Sequence, residues 1–385
     1  MVLKRKYARV GIVATAQTAW QPAWPDAQHI DLIASVVQRA LKGCGLRIQD
    51  VDFVIDSGSD VLDGRSISNC GFLGAMGAHH KEESRVEDDG LWAALYGVNK
   101  IASGSADVGL IIAYAKPSES DVAKFYSTLA DPFCQRPVGL NEVTASGLLA
   151  RRYAQAHGVS AQQFAQVAAR AWERAAANAN VCTQGAPSFD AIMASPEVAS
   201  PLRRLMLARP VDGAVAMVLA SEKFARRVNP APVWVTGMGA AMDGNVFAMR
   251  DQPFEACATA ARMACAKAGA TPGSFALAEL SATSAVAELM TVEALGLAEP
   301  GGGLDAYLGD GMPINPSGGA LPANSIMATG LVRLAEAAER LWVHGSGAGG
   351  GGSGGAAGPH VGSSAIVHAS SGIAAQSHCV FVVEV

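Results

Sequence analysis

Three acidic residues in succession, Glu87-Asp88-Asp89, stand directly before Gly90 and a segment with helical periodicity. Two chemistries fit them. Acids in a first turn stabilise a helix start by roughly 0.3–1 kcal/mol each, and Asp is a favoured cap. Adjacent carboxyls also repel one another, which raises at least one pKa and makes that group a candidate general acid or base. Other polar residues cluster after apolar runs. In Leu280-Ser281-Ala282-Thr283-Ser284, the hydroxyls of Ser281, Thr283 and Ser284 either line a pocket or satisfy backbone where a strand ends. The run Asn315-Pro316-Ser317-Gly318-Gly319 is either an ordinary turn or a backbone that approaches a ligand closely. Asn324 can donate a hydrogen bond to a carbonyl but cannot titrate, so it suits an oxyanion site or a turn. His368 closes an apolar strand, with Ser370 two residues on; such a histidine is either a core residue or a titratable group at a pocket. His79 and His80 have no carboxylate or cysteine at ligand spacing, and no metal site is expected from them. Neither a Walker-type nor a dinucleotide motif is present, and the glycine-rich stretch 345–358 has no lysine and opens no helix.

The elements that must position these groups repeat once along the chain. In the first copy, ARVGIVATA reads as a strand, Asp31 to Lys42 as an amphipathic helix, and VDFVID as a strand after Gly45. Leu91 to Ser103 then reads as a helix and DVGLIIA as a strand. In the second copy the same order is PVWVTGMGA, Glu255 to Lys267, FALAEL after Gly269, Ala328 to Leu341, and SSAIVHA. Strands apolar nearly throughout are those covered by helices on both faces. Strands alternating with helices predict parallel pairing. Between the copies lie a helical excursion (about 117–205, with helix from Leu140 to Asn180) and a strand in DGAVAMVLA. The pattern divides at Asn229-Pro230, giving halves 1–229 and 230–385. The stretch 345–358 reads as a flexible loop joining a helix to a strand.

Half of the 385 residues are hydrophobic and 16% are charged, enough for a large core and a surface partly covered by a partner subunit. A net charge of −5 carries no basic footprint for nucleic acid. Seven cysteines without a CxxC pair fit reduced thiols in a cytoplasmic protein. The N-terminal apolar run reads as a first strand rather than a secretory signal, and no other run is suited to spanning a bilayer.

Three segments together resemble the thiolase superfamily, nearest to the sterol-carrier-protein-type thiolases and related thiolase-like subunits. ASPEVASPLRRLMLARPVDGAVAMVLAS is similar to the segment closing that family's N-terminal half, with Pro201, Leu202, Arg203, Asp212, Gly213 and Ala214 in register. NPSGG at Asn315 to Gly319, followed by ATG at Ala328 to Gly330, resembles the family's active-site loop. VHASSG at Val367 to Gly372 resembles its C-terminal pocket turn. The resemblance implies a five-layer α/β/α/β/α fold with two duplicated halves, acyl-CoA thioester as substrate, no resident cofactor, and dimerisation through a sheet edge. It also implies that Asn315, Ser317, Gly318, Gly319 and Ser370 line the ligand.

The family's chemistry needs a cysteine thiolate at a helix N-terminus, oxyanion donors, and a late cysteine or histidine to move the α-proton. Here the position three before Gly90 is Glu87, and Cys70 is a full loop away. The family's Gly-His-Pro histidine aligns with Asn324, and His368 precedes Ala369-Ser370-Ser371-Gly372 where other members carry cysteine. Glu87, Asp88, Asn324 and His368 are therefore the candidate catalytic groups, expected around one cavity. Two functions follow. One is aldol-type cleavage or formation of a carbon–carbon bond beside an acyl-CoA thioester, as in cysteine-free relatives that work with a small OB-fold partner. The other is a degenerate subunit that scaffolds or completes an active thiolase-like paralogue in a hetero-oligomer.

Overall fold

The structure is a computed structural model that describes residues 8–345 and 363–385. The glycine-rich loop expected at 345–358 lies outside the described residues, apart from Gly345 at a helix end, as do the basic N-terminal residues 1–7. The first half carries β1 (Val10–Gln17), α1 (His29–Gly43), β2 (Phe53–Ser57), the short helices α2 (Asp60–Asp63) and α3 (Leu73–Met76), β3 (Glu82–Val86), α4 (Gly90–Ala102) and β4 (Val108–Ala115). The excursion follows with α5 (Val122–Thr128), α6 (Glu142–His157), α7 (Ala161–Ala176), α8 (Phe189–Ala194) and the small pair β5 (Glu197–Ala199) and β6 (Leu202–Arg203). After it come β7 (Gly213–Ser221) and α9 (Glu222–Val228). The second half carries β8 (Val233–Met242), α10 (Glu255–Ala268), β9 (Leu277–Leu280), α11 (Ala285–Ala294), α12 (Gly303–Leu308), α13 (Thr329–Gly345), β10 (Ser364–Ser371) and β11 (Ser377–Glu384).

Local chemistry starts the helices where the pattern predicts. Asn141 accepts from the Val143 and Thr144 amides at the head of α6, and Ser160 accepts from Gln163 at the head of α7. In α7, Phe164, Val167, Ala168, Ala171 and Trp172 are buried at helical spacing. The strands β4 and β7 are buried along their whole length, as two-sided coverage requires.

The strand order is β3-β2-β4-β7-β1-β8-β11-β10-β9. Parallel pairing holds for β2 with β3 and β4, and for β9 with β10. It fails at β7 and β11, which lie antiparallel to both neighbours, and between β1 and β8, which pair antiparallel where the halves meet. β11 follows β10 after a short turn, and such a hairpin can close only antiparallel. The sequence reading left this last strand out. In each half one antiparallel strand separates two mutually parallel ones, so the duplication survives in the topology.

Helices α4 and α13 form the middle layer: Leu91, Ala94 and Val98 share a core with Leu331, Leu334, Ala335 and Ala338. Outside the first half-sheet lies α1, through Ile33, Val36 and Ala40. Outside the second lies α10, with Cys257, Ala260 and Ala264 in the core that also holds α6 and α7. This is the five-layer thiolase-like arrangement. The approach of α10 explains Gly237 and Gly239 in β8, where an added Cβ would fall 2.1 Å from the Ala264 and Ala260 carbonyl oxygens.

Candidate functional site

The carboxyl ends of β2, β3 and β10 and the head of α4 open on one cavity of about 250 Å³. Parallel strands deliver their C-terminal ends and the following helix N-termini to the same edge, where open α/β sheets bind ligands. Ser59, Glu87, Asp88, Asp89, Ser281, Thr283, Asn324, Ser370 and Ser371 supply polar lining, and Phe125, Leu129, Ile326 and Met327 supply apolar lining. Four carboxyl residues, Glu87, Asp88, Asp89 and Glu142, face it; no lysine, arginine, histidine or cysteine does among the described residues.

The three acids divide by depth. Asp89 is buried and caps α4, its Oδ1 accepting from the Leu91 amide at 2.9 Å. It also accepts from the Gly330 amide, at 3.1 Å on Oδ1 and 2.9 Å on Oδ2. One carboxylate thus joins the heads of both middle-layer helices. Burial pushes its pKa up to about 8, against the pull of the Gly330 and Leu91 amides. Asp88 is half-buried on the cavity wall. Its Oδ1 accepts from the Asp89 amide at 2.7 Å, and the Ser371 side chain hydrogen-bonds to it. Burial raises its pKa despite those bonds. Glu87 is exposed at the rim with both oxygens committed, Oε1 to the Asp60 amide at 2.6 Å and Oε2 to Arg85 Nε at 3.0 Å. The Arg85 guanidinium also pairs with Asp56 at 2.8 Å and with the Tyr114 hydroxyl at 2.7 Å.

Across the cavity, Asn324 is buried and oriented on two sides. Its Oδ1 accepts from Thr329 Oγ1 at 2.7 Å and from the Ile326 amide at 3.1 Å, and its Nδ2 donates to the Tyr126 hydroxyl at 3.2 Å. Thr283 donates to Glu142 Oε1 at 2.6 Å, while the Ala374 amide donates to Glu142 Oε2 at 2.9 Å. Ser370 donates to the Ser281 carbonyl at 3.1 Å.

The structure brings Glu87, Asp88, Asn324, Ser281, Thr283 and Ser370 to this cavity and leaves the other candidates out of its lining. Ser284 is fully buried and caps α11 through the Ala287 amide at 3.3 Å. Asn315 accepts from the Leu280 amide at 2.5 Å and donates to both Glu288 oxygens, at 3.0 and 2.8 Å. Ser317 donates to Glu279 at 2.6 Å, and Arg333 binds both. Gly318 and Gly319 have φ of 101° and 68°, conformations a side chain resists. The loop read as ligand-lining is thus a buried polar lattice beneath the strand ends. His368 is likewise corrected. It is fully buried, with Nε2 3.0 Å from His378 Nδ1, and does not reach the cavity. It shares a face with Ser370 but lies two residues deeper, about 7 Å back along the strand.

Reading the sequence missed Tyr126 and Glu142. They arrive from α5 and from the start of α6, inside the excursion. The only local signal is a polar helix start at Asn141-Glu142, which resembles any other cap.

A duplicated five-layer fold with its cavity at the head of the first middle-layer helix defines a thiolase-like protein. Residues 239–382 match the family described as Thiolase C-terminal domain-like. Over 351 residues the chain is 27% identical to acetyl-CoA acetyltransferase of Methanothermobacter thermautotrophicus, covering 86% of this chain and 90% of that one. Over 323 residues it is 27% identical to 17-hydroxy-3-oxo-4-pregnene-20-carboxyl-CoA lyase of Mycobacterium tuberculosis, covering 76% and 82%. The solved structure of an Ltp2-ChsH2(DUF35) aldolase superimposes with a TM-score of 0.80, covering 98% of both chains at 21% identity. The fold is thiolase-like, and over most of its length the chain is similar to proteins of the thiolase superfamily.

Proposed function

We propose that this protein cleaves or forms a carbon–carbon bond next to an acyl-CoA thioester by aldol chemistry, without an acyl-enzyme. The observation that carries the reading is the Asp88 carboxyl on the wall of a cavity that no cysteine lines among the described residues. In the cleavage direction, Asp88 takes the proton of a β-hydroxyl. The Cα–Cβ bond breaks and releases an aldehyde or ketone. The electron pair passes through Cα to the thioester oxygen as an enolate, which the Asn324 amide stabilises. The proton held by Asp88 then returns to Cα. No external oxidant or acyl acceptor is needed. The relatives named as a carboxyl-CoA lyase and an aldolase support this reading over Claisen thiolysis.

The DUF35 component in the name of the aldolase suggests a small partner, in keeping with the OB-fold partner the resemblance implies. Strand β3, with β2 alone beside it, is an open sheet edge through which a second thiolase-like chain would pair.

The test is incubation of the chain, alone and co-expressed with a candidate DUF35 partner, with a β-hydroxyacyl-CoA. Mass spectrometry then looks for a shortened acyl-CoA and its carbonyl co-product. Thiolysis of a 3-ketoacyl-CoA by free CoA, without hydroxyacyl cleavage, would overturn the proposal. One observation favours the scaffold reading instead: with His368 withdrawn, the C-terminal turn brings no titratable side chain to the cavity. Inactivity in every combination, with turnover gained by a co-purified intact thiolase, would establish that reading.

A further inference from the structure

Beneath α10, on the outer face of the second half-sheet, three potential ligands meet. Cys257 is the third residue of α10 and points into the core. His368 pairs with Val380, and His378 pairs with Ser370, so the two histidines are diagonal neighbours on one face of the β10–β11 hairpin. All three residues are fully buried. Cys257 Sγ and one nitrogen of each ring lie within 4.8 Å of one another. None of the three lines the carboxyl-walled cavity.

The hydrogen bonding of this cluster is incomplete. Two neutral imidazoles carry two N–H groups and two lone pairs, and the 3.0 Å contact between His368 Nε2 and His378 Nδ1 uses one of each. Of the remaining nitrogens, His368 Nδ1 is buried without a partner, and His378 Nε2 makes no well-formed hydrogen bond, the ring having only a looser contact with the Ala375 backbone. Native cores rarely leave such atoms unpaired. Close by, Asp243 has a buried oxygen, Oδ2, that is also unpartnered, and its charge reaches Cys257.

We propose that Cys257, His368 and His378 bind one thiophilic d10 ion, Zn(II) or Cu(I), that ties the head of α10 to the β10–β11 hairpin. One thiolate and two imidazoles suit these ions, whereas Mg(II) and Ca(II) take oxygen ligands. Metal–nitrogen bonds of about 2.0–2.1 Å and metal–sulfur bonds of about 2.3 Å place the donors roughly 3–4 Å apart, within the observed span. Binding forms the metal–sulfur bond as the thiol proton leaves to solvent; the rings bind as neutral imidazoles through lone pairs. Burial and the Asp243 charge hold the free Cys257 thiol protonated, so the bound ion itself must stabilise the thiolate. Cu(I) gives a net-neutral centre, and the extra charge of Zn(II) is countered by Asp243. The two ions share this donor chemistry and are separated by experiment.

The full chain, with the exposed Cys70, Cys134 and Cys182 replaced by serine to remove adventitious thiols, is expressed in medium supplemented with zinc or with copper. Elemental analysis then measures bound metal. The expected result is about one equivalent of one ion, lost in Cys257→Ala and retained in Cys379→Ala. Less than about a tenth of an equivalent in both arms, or an equivalent that survives Cys257→Ala, would overturn the proposal. Should Cys257→Ala fail to fold, cobalt(II) loading of the parent by refolding decides the matter. A thiolate-to-cobalt charge-transfer band supports the site, and its absence at full loading rejects it.

Discussion

The Asp89 carboxylate binds the Gly330 amide across 241 residues, with its two oxygens 3.1 and 2.9 Å from one backbone nitrogen. The same group caps α4, so a single side chain serves two helix N-termini that stand in equivalent places in the two halves. Replacing it with asparagine turns an NH₂ donor toward one of those amides. Asp89→Asn is expected to destabilise the fold by about 1–3 kcal/mol, the cost of a buried donor left unpaired. Gly330→Ala is expected to do comparable damage, about 1–3 kcal/mol of overpacking, because its Cβ would sit 2.1 Å from Asp89 Oδ1 and 2.5 Å from Ala369 Cβ. Urea unfolding of both variants checks this; wild-type midpoints would show that the bridge carries no stability.

Asp88 and Glu87 are expected to behave differently. Asp88→Asn removes the proposed base and should lower turnover by about 10²–10⁴-fold. Glu87, held at the rim by Arg85 and the Asp60 amide, should act through substrate binding, so Glu87→Gln raises KM more than it lowers kcat. Steady-state kinetics of the assembled protein measures both. A larger fall in kcat for Glu87→Gln than for Asp88→Asn would move the base to Glu87, and unchanged turnover in both would favour the scaffold.

Asn324 is the proposed enolate donor, oriented by Thr329 and Tyr126. Losing one oxyanion donor typically costs about 10²–10³-fold in kcat, and Asn324→Ala is expected to fall in that range. Tyr126→Phe, which only loosens the amide, should cost less. The ordering of the two variants, read at saturating substrate, is the check.

Incubation with acetyl-CoA is expected to leave the intact mass unchanged. Cys379, the cysteine on which the Asp88 and Asp89 charges act, is buried, and burial followed by those charges pushes its thiol far above the ordinary range. An acetyl adduct mapped to Cys379 or Cys70 would restore covalent chemistry and displace the aldol reading.

Stability is expected to fall as pH rises from about 4.5 to about 8. Burial lifts Asp56 to about 7 and Glu288 to about 8. In that window the folded state still holds these protons, whereas the unfolded chain has released them, so each group's stabilising contribution is lost as pH climbs through its folded pKa. His368 and His378 have the opposite sign: burial depresses both, His378 to about 3, so their contribution is lost only below the ordinary histidine range. Glu288→Gln keeps the Asn315 contact in shape and removes one titrating group. It should make the slope shallower by up to about 1.4 kcal/mol per pH unit. Urea unfolding at stepped pH tests this, and an unchanged slope would mean that Glu288 is ionised throughout.

What the sequence determined by itself is local and periodic. The apolar strands, the amphipathic helices, their caps and the repetition of their order all follow from residues within a few positions of one another, and they suffice to read a duplicated layered fold. They also place an acid run at a helix head, because a strand followed by a polar break and an apolar helix can be recognised without knowing its neighbours. Tertiary structure decided how deep each of those acids sits at the cavity, since depth below a rim depends on what packs above it. It decided that Asn315 and Ser317 would be consumed by Glu288 and Glu279, partners 27 and 38 residues away. It withdrew His368, because two residues along a strand separate an exposed end from a covered interior. It also brought Tyr126 and Glu142 from the excursion onto the pocket and set His368, His378 and Cys257 together. Such meetings depend on the packing of whole layers, to which no short window of sequence is sensitive.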